Sequence, residues 1–363
     1  MERRGFHMSK IRLGIIYGGK SSEHEVSLNT ALAIMRAIDY EKYDITPFYI
    51  GLDGVWAKGS LTNRELQSVD DLRFTGRMDE QPNILHLKQE IDIAFPVIHG
   101  PYGEDGTIQG LLEMADLPYV GTGVLGSALG MDKVAMKNVF GEIGIPQCKY
   151  LSFLRNQLQE NKDQVVVQIE DQIGYPCFVK PANMGSSVGI SKVKNREDLV
   201  HALEFAAQFD RKIIVEENVT GRELEIGVLG NDDLKTSVVG EIISVNEFYD
   251  YEAKYKNTGT KLIIPAEVPE QVADRIAELA KKSFHGLDAS GLSRIDFFWD
   301  EQNDRVLINE INTMPGFTPF SMYPMLFQKA GVSYPQLINE LVQLGFDRYR
   351  DRNHNKVSAE KFE

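Results

Sequence analysis

Two polar pairs interrupt two hydrophobic stretches near the end of the chain. In "RVLINEINTMPG", Val306, Leu307, Ile308 and Ile311 read as a buried strand, yet Glu310 and Asn312 sit at its end, two residues apart. Side chains alternate along a strand, so both point to one face. In "SRIDFFWD", Arg294 and Asp296 share a face while Ile295, Phe297 and Trp299 fill the other. Asp296, Glu310 and Asn312 form an all-oxygen ligand set. Hard Mg²⁺ takes a few carboxylate oxygens and completes its octahedron with phosphate and water. A single strand-end carboxylate could be a solvated edge residue, but three convergent oxygen ligands, two of them carboxylates, on neighbouring apolar strands need compensation for buried charge.

Cations suited to phosphate stand elsewhere. Lys180 ends the apolar strand of "YPCFVKPANMGSSVGISKV", and the glycine- and serine-rich loop after it can present successive N–H groups to anionic oxygens. The same loop could also be a plain flexible hairpin. Lys133, in "GMDK", supplies a second cation at a helix start. "GIIYGGKS", residues 14 to 21, matches the P-loop pattern with Lys20 as its lysine. Its context is wrong: Ile15, Ile16 and Tyr17 continue the strand past Gly14. Ser22 and Glu25 have capping-box spacing, which starts the helix near Glu25 and leaves too little loop to wrap a pyrophosphate.

These residues must be held by a particular succession of elements. "IRLGIIYGG" reads as a strand, followed by a helix with Leu28, Ala31, Met35 and Ile38 on one stripe. "YDITPFYI" and "IDIAFPVI" are further strands, and strands alternating with helices imply a parallel sheet. Ligands sit beyond the carboxyl ends of such strands, which places "GGKSSEHE" and "HGPYGEDG" at a site. "MDKVAMKNVFGEIGIP" is a helix stopped by Gly144 and Pro146, with a domain boundary just before it. "NREDLVHALEFAAQF" is a helix and "KIIVEENV" a strand. Long strands follow from "RELEIGVLG", with one helix at about 269 to 285 and an amphipathic helix in "YPQLINELVQLGFDRY".

Bulk properties exclude several classes. The 363 residues suffice for two or three domains. A net charge of -14 argues against a nucleic-acid binder. Two cysteines, Cys148 and Cys177, make neither a disulfide framework nor a zinc site and fit a reducing cytosol. No apolar run is long enough to span a membrane. Met8 is expected to mark the native start, with residues 1–7 a tag remnant.

Six motifs, "GGKSSEHEVSL", "HGPYGEDGTIQG", "KPANMGSSVGISKV", "YDYEAKY", "GLSRIDFF" and "INEINTMPGFTPFS", occur in this order. Together they resemble those of the D-alanine–D-alanine ligases, ATP-grasp enzymes of bacterial cell-wall synthesis. The resemblance implies an α/β fold (α+β overall): a Rossmann-like N-terminal domain (8–130), then a two-part ATP-grasp fold with central (131–217) and C-terminal (218–350) parts. It implies that Lys133, Lys180 and Lys254 contact the phosphates of ATP. Glu216, Glu217 and Val219 would belong to the adenine hinge, and Glu223 would hold the ribose. Asp296, Glu310 and Asn312 would bind two Mg²⁺ (or Mn²⁺) ions. Arg294 would serve the oxyanion, against a plainer reading as the ion-pair partner of Asp296. Glu23 would accept the ammonium of the first D-alanine, linked to Ser186 and Tyr255, which close the lid. Tyr255 also favours a dipeptide product over D-alanyl-D-lactate. For His99 two readings stand, a substrate contact or a histidine that satisfies a backbone carbonyl. Ser321 and the N–H of Met322 would form the carboxylate pocket for the second D-alanine. The expected partners are D-alanine, ATP and a second copy in a cytoplasmic homodimer, with neither nucleic acid nor membrane. A depsipeptide ligase and a P-loop ATPase using Lys20 are the alternatives.

Overall fold

A computed structural model of the chain describes residues 9–60, 66–74, 81–243 and 260–356. Three sheets follow one another along the sequence. The first contains β1 (Ile11–Gly18), β2 (Tyr43–Ile50), β3 (Trp56–Lys58) and β4 (Ile93–Pro96) in the order β3-β2-β1-β4. β1 runs parallel to β2 and β4, while β3 is an antiparallel edge. Leu13, Ile15, Ile16 and Tyr17 are fully buried because elements cover both faces of this central strand. Leu28, Ala31 and Met35 of the His24–Ala37 helix, and Ile38 just after its end, join its core, as their spacing predicts.

The second sheet contains β5 (Tyr150–Leu154), β6 (Cys177–Pro181), β7 (Ser191–Val193) and β8 (Lys212–Glu217), ordered β5-β8-β6-β7 and antiparallel throughout. Its alternation is two-faced. Cys177, Val179, Ile213 and Val215 pack under the Arg155–Gln172 and Arg196–Phe209 helices. Phe178, Lys180 and Glu216 lie on the other face.

The third sheet contains β9 (Arg222–Gly230), β10 (Lys235–Ile243), β11 (Lys261–Ile263), β12 (Gly291–Asp300) and β13 (Arg305–Asn312), ordered β11-β10-β9-β12-β13. Ile295, Phe297, Trp299, Val306, Ile308 and Ile311 share one core with the Glu270–Gly286 and Lys133–Glu142 helices. Strict alternation would put Val306, Ile308 and Glu310 on one face. The register shows why it does not: Asp296 pairs with Glu310, but Phe297 pairs with Ile308, so Asn309 is an extra residue in a bulge. The bulge reverses the phase, and Glu310 leaves the core side to join Asn312. The Tyr334–Arg352 helix returns to the first core through Leu337, Ile338, Leu341 and Val342. No helix among the described residues is long and apolar enough to cross a membrane.

Candidate functional site

The polar faces of the second and third sheets open onto one cleft of about 1280 Å³, closed at one end by the first sheet's loops. Its walls carry Glu23, His99, Lys133, Lys180, Ser186, Glu216, Glu217, Val219, Glu223, Arg294, Asp296, Glu310, Asn312, Ser321 and Met322. Every residue that the resemblance places at the site therefore lines one space, except Lys254 and Tyr255, which lie outside the described residues. Lys20 is exposed and is not part of the wall. Gly14 sits in mid-strand opposite Thr46, and β1 continues to Gly18, so the P-loop match is a coincidence of letters.

The helix after β1 begins at His24, with Glu23 at its N-cap and no side-chain cap. The expected Ser22–Glu25 capping box does not form. Ser21 Oγ accepts the Glu23 N–H instead, at 3.0 Å, and Glu25 pairs with Arg73 at 2.7 Å. Glu23 is thereby free to face the cleft, where it is 7% exposed. Ser186 Oγ, 163 residues away, donates to Glu23 Oε1. Ser186 and Ser187 hold φ of 48° and 61°, the left-handed region that a serine adopts only under constraint. The carboxylate is tightly enclosed: a Cβ on Gly100 would lie 2.5 Å from Glu23 Oε2, and one on Gly185 2.8 Å.

His99 is buried, with Nδ1 3.1 Å from the Met314 carbonyl and Nε2 3.0 Å from Thr30 Oγ1. A carbonyl only accepts, so Nδ1 carries the proton and Nε2 accepts from the threonine. Burial holds this imidazole below its ordinary pKa despite the opposing charge of Glu23. The bond to the Met314 carbonyl fixes its ring at the Glu23 end of the cleft. Glu104, missed in the sequence, also lines this end and accepts the Gly100 N–H at 2.8 Å. Burial, then the charge of Glu23, pushes its carboxyl up to about 8.

At the other end, Glu216 stands between two ammonium groups. Its Oε2 lies 2.6 Å from Lys180 Nζ and its Oε1 2.9 Å from Lys137 Nζ. Burial alone would raise the Glu216 pKa, but the two lysines overcome it and hold the carboxylate below its usual range. The same pairing lifts both lysines above theirs against the effect of burial. Lys137 lies one helical turn after Lys133, and this i,i+4 spacing is the signal that could have found it. The backbone of Glu216 is inside the sheet, between Tyr150 and Phe178. Glu217 N–H donates to Lys149 O at 3.0 Å.

On the third sheet, Arg294 Nε and Nη2 each donate to Asp296, to Oδ1 and Oδ2, at 2.8 Å. This is the ion pair weighed against the oxyanion role. Asn312 Nδ2 donates to Asp296 Oδ2 at 3.2 Å, which leaves its Oδ1 for another partner. Lys133 Nζ is 3.5 Å from Glu310 Oε2 and donates to Met184 O at 3.0 Å, tying the glycine-rich loop to the carboxylates. Among the described residues no three His, Cys, Asp or Glu side chains converge as a closed metal cage. Two carboxylates and an amide oxygen facing a cleft suit a cation that draws its remaining ligands from phosphate and water. Glu225, also missed, is buried beside them, with Oε2 3.1 Å from Arg294 Nε. Ser321 stands at the N-cap position of the Met322–Lys329 helix without a side-chain cap bond, and its Oγ accepts the Thr318 N–H at 3.1 Å. The open N–H groups of that helix start are a ready site for a carboxylate.

Known proteins resemble this chain over nearly all its length. Residues 12–122 match the model of the D-ala D-ala ligase N-terminus and residues 139–343 that of the D-ala D-ala ligase C-terminus. The D-alanine–D-alanine ligase of Bacillus cytotoxicus is 53% identical, covering 97% of this chain and 100% of the relative. The VanG D-Ala:D-Ser ligase from Enterococcus faecalis superposes with a TM-score of 0.81 at 33% identity, over 93% of this chain and 100% of that one. A D-alanine–D-alanine ligase from Bacillus anthracis, solved in complex with ATP, superposes with a TM-score of 0.74 at 25% identity, over 94% and 99% of the two chains.

Proposed function

This chain belongs to the D-ala D-ala ligase family, and we propose, with that as premise, that it joins two D-alanine molecules for peptidoglycan precursors and that the cleft residues divide the reaction between its two ends. A carboxylate resists attack by an amine because its oxygen leaves poorly. Its oxygen attacks the γ-phosphorus of ATP, ADP departs, and an acyl phosphate results. The neutral amine of the second D-alanine then adds to the carbonyl carbon through a tetrahedral oxyanion, and phosphate leaves with the carboxyl oxygen.

Adenine takes the backbone of the hinge from Glu216 to Val219 and the ribose takes Glu223, while the Glu216 side chain is committed to its lysines. Lys180 and Lys133 meet the phosphates, with Lys254 assigned the γ-phosphate. Asp296, Glu310 and Asn312 would hold Mg²⁺ or Mn²⁺ ions, which supply charge neutralisation for the transferring phosphoryl group. Arg294 keeps donors for the oxyanion while pinned to Asp296. Glu23 accepts the ammonium of the first D-alanine, and Ser186 fixes that carboxylate, with Tyr255 as its further partner. His99 shapes the same end. Ser321 and the Met322 N–H receive the carboxylate of the second D-alanine. The division into 8–130, 131–217 and 218–350, a homodimer and a cytoplasmic location belong to the same reading.

The observation that carries it is the Ser186–Glu23 bond at one end of a cleft whose other end holds two lysines. The test is phosphate release with ATP and Mg²⁺, with D- or L-alanine added separately. Release with D-alanine alone supports the reading, and equal release with L-alanine or with neither sinks it. Adding D-lactate or D-serine to D-alanine and identifying the product decides the second substrate.

A further inference from the structure

Glu225 has no part in the reaction as assigned, yet it is 5% exposed on the floor of the cleft. It stands opposite Asp296 across the β9–β12 pair, and Asp296 stands opposite Glu310 across the β12–β13 pair. Three adjacent strands therefore carry one row of carboxylates. Arg294 is one same-face step along β12 from the middle of that row. Its Nε is 2.8 Å from Asp296 Oδ1 and 3.1 Å from Glu225 Oε2. The guanidinium thus has two counter-ions, and only one of them is also assigned to the metal.

Both oxygens of Asp296 are occupied here. Oδ1 accepts from Arg294 Nε, and Oδ2 accepts from Arg294 Nη2 and Asn312 Nδ2. A cation on Oδ2 must loosen one of its two bonds, and a cation on Oδ1 sits against the positive charge of Arg294 Nε. A largely enclosed arginine, 18% exposed, that is left without a counter-ion is drawn to follow Asp296 or to leave the site for water. Following Asp296 competes with the metal, and leaving abandons the oxyanion.

We propose that Glu225 is a positioning residue that keeps Arg294 anchored in the cleft when Asp296 turns to the metal. The proposal rests on the reading of Asp296 as a metal ligand. In this arrangement Glu225 relieves Asp296 of a double duty and never touches substrate.

The test is Mn²⁺ binding in the presence of ADP, followed by the paramagnetic resonance of free Mn²⁺, in a cycle of Glu225→Gln and Arg294→Gln. Glu225→Gln in the parent is expected to weaken binding at least about fivefold, the scale of a coupled charge pair. In the Arg294→Gln background it should change binding by less than about twofold, because there is no guanidinium left to hold. Equal weakening in both backgrounds shows plain attraction between Glu225 and the ion and overturns the proposal, as does no weakening in either. Asp296→Asn is measured alongside: unchanged Mn²⁺ binding there removes Asp296 from the metal and the proposal with it. Steady-state rates give a second readout. Glu225→Gln should lower kcat with little change in the KM for ATP, and the shorter carboxylate of Glu225→Asp should recover part of the loss. A rise in KM alone, or no recovery by Asp, contradicts a role exercised through Arg294.

Discussion

Glu216→Gln tests whether the centre of the nucleotide end is an ion cluster or a backbone hinge with an incidental carboxylate. The substitution keeps shape and removes one charge between Lys180 and Lys137, 2.6 and 2.9 Å away. Breaking a buried pair from one side costs about 3–5 kcal/mol, because the remaining charge is stranded. Here two cations are stranded, and Lys137 is fully buried. In the parent, Glu216 is held below the usual carboxylate range, so its contribution is complete above the unfolded pKa and fades only in acid. The parent lysines are held above their usual range, so their contribution fades only in strong alkali. Parent stability should therefore not vary through this cluster between pH 7 and 9. Without Glu216, fully buried Lys137 loses its main counter-charge and burial lowers its pKa, so the folded state binds fewer protons than the unfolded state. Stability of the variant then rises with pH, by up to about 1.4 kcal/mol per unit for one lysine. Urea unfolding of both proteins at pH 7, 8 and 9 measures this. A loss below about 1 kcal/mol at pH 7, or parallel profiles for the two proteins, refutes the reasoning.

Three further outcomes follow from the geometry. Gly100→Ala places a Cβ 2.5 Å from Glu23 Oε2 at a φ of 75°, and should raise the KM for D-alanine about tenfold or more by moving that carboxylate. Gly54→Ala, at a φ of 84° with nothing within 4 Å, should cost stability and leave the KM alone, and equal effects would remove Glu23 from the substrate site. Ser186→Ala deletes the donor to Glu23. Charged hydrogen bonds are worth roughly 1.5–3 kcal/mol, so kcat/KM for D-alanine should fall about tenfold to a hundredfold, and a normal value makes the bond decorative. Lys180→Ala should weaken ATP binding about tenfold or more in a nucleotide titration, while Lys20→Ala leaves it unchanged. The larger loss at Lys20 would reinstate the P-loop.

What the sequence made legible follows from the range of its rules. Alternation is local, so the polar ends of "SRIDFF" and "INEIN" could be assigned to a common face, and the resemblance then supplied names for their roles. The face of Glu310 was read correctly by counting back from Asn312. Counting forward from Val306 would have put it in the core, and only the pairing of β13 with β12 exposes the extra residue, Asn309. Register is a relation between strands, and no single strand carries it. The same holds for Glu225: "RELEIG" shows Glu223 and Glu225 on one face, but nothing in it says that Asp296 will stand opposite. Lys137 is a different failure. The helix period places it one turn from Lys133, so the signal was present, but a lysine on a helix is ordinarily a solvated charge. Its burial is decided by Glu216, 79 positions later in the sequence numbering used here, and by the sheet that carries Glu216. Residue type and local period located Lys133, Lys180, Arg294, Asp296, Glu310 and Asn312, and the resemblance supplied the other members of the cleft, whereas pairing between distant segments decides which charges face each other. Of the predictions above, those on Glu216 and Glu225 rest on such pairings and not on motif letters, which is why they discriminate between this structure and the resemblance alone.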